Sequence, residues 1–126
     1  MIRIFRGCFI YDLAVIGSGL RAASLVKLAQ DMDSEVRLAA VADPDGDNAK
    51  SHLRNEGVNF EDTRFFESAD ELIGHADGFD GLMLGTRCDL HTPIAVKLAA
   101  LDLPLFLEKP VSISFDQLTE LSKAYV

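Results

Sequence analysis

The chain has 126 residues and a formal net charge of -8, from 20 acidic and 12 basic side chains; it is 48% hydrophobic and 25% charged. That size and balance describe one globular domain, long enough to bury a core without disulfides or metals. The acidic excess argues against nucleic acid as a partner, because phosphate backbones are bound by basic faces, and no apolar run approaches the roughly 20 residues that span a bilayer.

Residues 1–11 carry scattered arginines and one short apolar piece, which reads as a leader or an extra edge strand rather than a signal peptide. LAVIGSG (13–19) is an apolar run closing on glycines, a buried strand followed by a tight turn. Leu25, Leu28, Ala29 and Met32 recur at helical spacing and mark the expected apolar face of a first helix over 20–32. VRLAAVAD (36–43) is a second strand, ended by Asp43-Pro44, and 49–56 reads as a polar surface helix stopped by Gly57. TRFF (63–66) is a short third strand, and Ser68 with Glu71 forms a capping box for a short helix. FDGLMLGT (79–86) is the fourth strand. Ile94, Leu98 and Leu101 share a face of a helix over 90–101, with Pro93 accommodated in its first turn. LPLFLE (103–108) is the fifth strand. Ser114 and Gln117 open a last helix whose apolar face is Phe115, Leu118, Leu121 and Tyr125.

Five alternations of strand and helix with short loops imply a parallel sheet covered by helices on both faces. The near-continuous apolarity of the strands agrees with that burial. The expected fold class is therefore α/β, a Rossmann-type doubly wound parallel sheet, as a single domain over residues 12–126.

Gly17-Ser18-Gly19-Leu20-Arg21-Ala22 is G-x-G-x-x-A, placed directly after strand one and opening helix one. The first glycine allows the tight turn, the second lets the backbone approach a pyrophosphate, and the small third residue lets helix pack on strand. Free N–H groups at the helix start then face the phosphates. Asp43 ends the second strand about 20 residues further on, where a carboxylate accepts hydrogen bonds from an adenosine ribose. It repels a 2′-phosphate, which favours NAD, with NADP left open because Arg21 sits in the turn.

In such a sheet ligands lie outside the carboxyl ends of the strands. Thr86, Arg87, His91, Glu108, Lys109 and Pro110 follow strands four and five, so they are expected to line the same crevice. VIGSGLRA, VADPD, GT-x4-H and above all EKP resemble the N-terminal domain of the Gfo/Idh/MocA oxidoreductases, a family that includes glucose-fructose oxidoreductase and inositol dehydrogenase. The resemblance covers about residues 12–126. It implies a nicotinamide cofactor and a sugar-, inositol- or polyol-like substrate. It implies that Lys109 lies beside the nicotinamide and the reacting hydroxyl as a catalytic residue, that Glu108 lies near the nicotinamide ribose, and that Pro110 sets the exit of the backbone, with a cis Lys109–Pro110 bond allowed. Two departures stand out. Arg87-Cys88 replaces the Pro-Asn of many members, and the second α/β domain, which supplies an Asp or His acid/base and holds substrate, is not within these residues. The expectation is a domain that binds cofactor and by itself turns over little or no substrate.

Plainer readings compete at several residues. Lys109 can be a solvated strand-end lysine, Glu108 its ion-pair partner, and His91 a surface histidine of a first helical turn. His52 and His75 lie on polar segments and read as solvated. Cys8 and Cys88 form neither a C-x-x-C pair nor a metal cluster and read as free thiols in a reducing cytoplasm. DPDGDN (43–48) matches a calcium loop in neither register: from Asp43 the glycine and glutamate positions hold Asn48 and Arg54, and from Asp45 Glu56 reaches the twelfth position but Ala49 and Lys50 occupy the fifth and sixth. Two other function classes stay open: a stand-alone dinucleotide-binding regulatory module, and an NAD-dependent glycosidase or lyase relative. Substrate identity and oligomeric state are not legible in the sequence.

Overall fold

The computed structural model describes residues 3–5, 8–75 and 77–126, and of residues 3–5, 8 and 9 the backbone only. In chain order the elements are β1 (Arg3–Phe5), β2 (Cys8–Ile16), α1 (Leu20–Met32), β3 (Val36–Ala42), α2 (Gly46–Glu56), β4 (Arg64–Phe66), α3 (Ala69–Gly74), β5 (Gly81–Leu84), α4 (His91–Leu98), β6 (Leu105–Leu107) and α5 (Phe115–Tyr125). Short 3-10 turns, Cys88–Leu90 and Ala99–Leu101, flank α4. The parallel strands are ordered β4-β3-β2-β5-β6, and β1 pairs antiparallel with the start of β2. β2 is thus longer than the expected strand over 13–19 because its first residues serve β1. The reading of 1–11 as a leader or edge strand falls partly outside the described residues.

Side chains alternate across the sheet and feed two cores. On one face Ala14, Ile16, Leu82 and Leu84 meet Leu72 of α3 and Ala95 and Leu98 of α4. On the other, Val15, Leu38, Val41 and Met83 meet Ala22, Ala23 and Val26 of α1 and Ala49 and Leu53 of α2. Each fully buried Leu or Val contributes roughly 1.5–3 kcal/mol. This two-sided burial is the reason the strands read as apolar almost throughout.

The face of α1 departs from its periodicity. Leu28 is 54% and Met32 78% exposed, whereas Ala22, Ala23 and Val26 are buried. The cause is close approach: a Cβ built on Gly85 would lie 3.4 Å from the Cβ of Ala22. Only small residues let α1 sit this near the sheet, and small residues add little to a hydrophobic periodicity.

The polar segments are organised by caps. Asp45 accepts from the Asn48 amide and starts α2 at Gly46, three residues before the expected start. Gly57 ends that helix in the left-handed region with φ 76°. Ser68 accepts from the Glu71 amide and Ser114 from the Gln117 amide; the reciprocal side-chain bonds reach the preceding residues, from the amides of Glu67 and Ile113. At the amino edge of the sheet Arg37 makes a bidentate pair with Asp12 at 2.7 and 2.9 Å. That hydrogen bonding to Asp12 raises Arg37 above its ordinary value.

Along β6 and α5 apolar side chains stay uncovered: Phe106, Ile113, Phe115 (89% exposed) and Leu118. Leu121 packs on the core, and the Tyr125 hydroxyl donates to the Ala95 carbonyl at 2.7 Å. Burial pushes the Tyr125 phenol up.

Candidate cofactor site

The strand order reverses between β2 and β5, so the crevice lies at their carboxyl ends. One wall is the turn between β2 and α1. The Gly17 amide donates to the Ala42 carbonyl and the Gly85 amide to the Ile16 carbonyl, both at 2.8 Å, which ties the turn to β3 and β5. Gly17 has φ 82°, and a Cβ there would lie 2.8 Å from both Cγ2 and the amide nitrogen of Thr86. The position therefore demands glycine twice over, by conformation and by space. Gly19 differs: a Cβ built on it meets nothing within 4 Å, so its backbone borders open space.

Asp43 closes the floor of this wall. Its Oδ2 accepts from the Ser18 amide at 3.0 Å and its Oδ1 from the Asp45 amide at 2.9 Å. A carboxylate has about four lone-pair sites, so acceptor capacity remains for a ligand. The His52 Nδ1 lies 3.2 Å from the Ser18 carbonyl. His52 is therefore a half-buried prop of the turn, unlike the solvated residue its polar surroundings suggest. His75 is exposed, with Nδ1 2.9 Å from the Glu71 carbonyl and its ring tilted against Phe66.

The other wall comes from the ends of β5 and β6. Glu108 leaves the sheet with its amide on the Leu84 carbonyl at 3.1 Å. Arg21 of α1 donates from Nε to Glu108 Oε1 at 2.7 Å, which bridges the two walls. Lys109 is exposed, and among the described residues nothing holds its ammonium. The Lys109–Pro110 peptide is cis. Thr86 is half-buried and its hydroxyl donates to the Arg87 carbonyl at 3.3 Å; Arg87 is exposed and pairs with Asp89 at 3.1 Å.

His91 does not line the crevice as expected. It is 1% exposed, and its ring nitrogens lie 2.6 Å from the Pro110 carbonyl and 2.9 Å from the Thr86 carbonyl. The sequence gives no direct sign of Thr92, which is 0% exposed and donates to the Val111 carbonyl at 3.0 Å. Cys88 is an exposed free thiol. Among the described residues no His, Cys, Asp and Glu converge as a metal set, and no helix is long and apolar enough to cross a membrane.

Three observations fit a dinucleotide. Gly19 leaves its backbone approachable. The start of α1 has no side-chain cap and no acid in its first turn, so its first amides remain free for an anion. The Ser18 hydroxyl is buried without a hydrogen-bond partner among the described residues.

Fold and crevice together define a doubly wound dinucleotide-binding domain. Residues 11–126 match the family model GFO_IDH_MocA, an oxidoreductase family with an NAD-binding Rossmann fold. The chain belongs to that family. The rhizopine catabolism protein MocA of Rhizobium meliloti is 28% identical over 107 residues, 85% of this chain and 31% of the relative. The myo-inositol dehydrogenase of Lactobacillus casei, solved with NAD(H) and myo-inositol, superposes with a TM-score of 0.79 at 16% identity, over 91% of this chain and 33% of that one. The WlbA dehydrogenase of Chromobacterium violaceum, solved with NADH and UDP-GlcNAcA, gives 0.73 at 22% identity, over 91% and 32%. The chain spans about a third of the length of these relatives.

Proposed function

We propose that this domain holds NAD for hydride transfer to or from a carbinol carbon of a sugar- or polyol-like substrate, with Lys109 at the reacting oxygen. The observation that carries the reading is the bridge at 2.7 Å between Arg21 and Glu108, which brings the EKP turn beside the glycine turn. The molecules bound in the solved dehydrogenases, myo-inositol and UDP-GlcNAcA, support the class.

Gly17, Ser18, Gly19, Leu20 and Arg21 would hold the pyrophosphate, Asp43 the adenosine ribose, and Thr86, Arg87, Glu108 and Pro110 the nicotinamide half. When bound, the nicotinamide would supply the hydride acceptor, or in its reduced form the donor. The Lys109 ammonium would donate a hydrogen bond to the substrate oxygen; as the neutral amine it would take the hydroxyl proton. Asp43 would exclude a 2′-phosphate by like-charge repulsion and so favour NAD over NADP. The crevice is open toward Lys109, and we propose that excluding water and placing the substrate need a second wall from further polypeptide. That wall would also meet the uncovered apolar residues of β6 and α5.

Calorimetric titration with NAD and NADP tests the binding half. Saturable NAD binding tighter than NADP is expected, and no binding, or NADP preferred, refutes it. Reduced-nicotinamide absorbance with a polyol panel tests the chemical half, in a polypeptide that includes the second wall. Lys109→Met should retain NAD binding and lose turnover.

A further inference from the structure

The main-chain hydrogen bonds of β6 end at Glu108, and among the described residues no main-chain bond ties 109–112 to the sheet. This segment carries Lys109, whose ammonium is itself unheld. Its position must therefore come from its neighbours, and these are gripped by the first turn of α4. His91 Nδ1 meets the Pro110 carbonyl at 2.6 Å. The Thr92 hydroxyl donates to the Val111 carbonyl at 3.0 Å and lies 2.8 Å from Ser112 Oγ. A hydroxyl has one hydrogen, so Ser112 is the donor in the second bond and both groups are satisfied. The His91 ring also reaches the Thr86 carbonyl, so one side chain spans the ends of β5 and β6. A neutral imidazole donates from one nitrogen only, and a hold on the 110–112 backbone requires that proton on Nδ1, toward the Pro110 carbonyl.

Polar side chains buried at 1% and 0% exposure cost stability unless they are bonded. Apolar residues would pack the same space without that cost. What an apolar pair would not supply is a directional hold on the backbone at 110–112.

We propose that His91 and Thr92 are positioning residues that lock the Glu108–Lys109–Pro110 turn against the crevice. Their loss would then weaken the hold on the nicotinamide end of a dinucleotide and spare the ADP-ribose end, which the glycine turn and Asp43 hold. The ligand half of this inference rests on the function proposed above; the lock itself does not.

The test compares NAD with ADP-ribose, which lacks nicotinamide, in calorimetric titrations of the wild-type chain and three variants. Thr92→Val is nearly isosteric and removes both hydroxyl bonds. His91→Asn keeps a donor near Nδ1, and His91→Gln keeps one near Nε2. Thr92→Val and His91→Gln should weaken NAD about tenfold, the scale of one or two lost hydrogen bonds. ADP-ribose should stay within about twofold, and His91→Asn should rescue NAD binding. Equal weakening of both ligands would mean a merely structural role and overturn the proposal, as would no weakening of NAD. Hydrogen exchange at the bonded amides that flank the segment, Glu108 and Ile113, reads the lock separately without ligand: faster exchange there, with α1 and α2 unchanged, is expected in Thr92→Val. Unchanged exchange overturns the lock. Failure of the wild type to bind NAD, with faster exchange in the variant, would sink the proposed function and leave the lock standing.

Discussion

Gly17 and Gly19 stand two residues apart in one turn, yet the structure gives them different work, and alanine at each should separate the two. In Gly17→Ala the new Cβ sits at φ 82° and lies 2.8 Å from the amide nitrogen and Cγ2 of Thr86 and 2.9 Å from the carbonyl carbon of Gly85. Left-handed strain costs about 1–2 kcal/mol and forcing a methyl into backbone about 1–3 more, together about 2–5 kcal/mol. Against a typical total of about 5–15 kcal/mol this is a large fraction. At this chain length it corresponds to a melting temperature lower by about 6–25 °C. In Gly19→Ala the methyl meets no protein atom within 4 Å at an ordinary φ of -79°. Only the poorer N-cap preference of alanine is lost, about 0.5–1 kcal/mol, or less than about 5 °C. The methyl does occupy the space through which a pyrophosphate would approach, and an overlap of about 1–3 kcal/mol weakens NAD about 5- to 150-fold. Thermal melting and NAD titration on the same two preparations give the result. An unchanged melting temperature in Gly17→Ala would refute the packing argument. Undiminished NAD affinity in Gly19→Ala would refute the placement of the phosphates at this turn.

Three further outcomes follow from the same geometry. Asp43→Asn should narrow the proposed preference for NAD over NADP by about tenfold or more in paired titrations, since it removes the charge that would repel a 2′-phosphate; an unchanged ratio contradicts the assignment. Arg21→Ala removes an ion pair whose arginine is 72% exposed, so the stability read from urea unfolding should fall by less than about 1 kcal/mol. NAD affinity should fall and lose part of its salt dependence. Asp12→Ala removes the 2% exposed acceptor of Arg37; the half-exposed guanidinium can turn to water, so the loss by urea unfolding should be about 2–4 kcal/mol. NAD affinity should hold, because this pair lies at the amino edge of the sheet, opposite the crevice.

What the sequence determined by itself is local. The alternation of strands and helices, the turn at Gly17–Gly19, the caps at Ser68 and Ser114 and the stop at Gly57 each depend on a few adjacent residues. Their chemistry is therefore complete within a short window. The arrival of LEKP at a strand end was legible in the same way.

What the tertiary structure decided concerns distance across the chain. Hydrophobic spacing pointed to Leu25, Leu28, Ala29 and Met32 as the buried face of α1; Leu25 does pack on the core, but Leu28 and Met32 stay exposed, and the sheet comes so near that Ala22, Ala23 and Val26 fill the closest contact. Periodicity records how apolar a side chain is and carries nothing of how close the opposing backbone lies. His91 likewise reads as a first-turn histidine free to face ligand. Folding buries it, because the carbonyls of Thr86 and Pro110 converge on its ring. The bridge from Arg21 to Glu108 joins residues 87 positions apart. Only the crossover that sets β2 beside β5, and β5 beside β6, brings those two charges to one crevice.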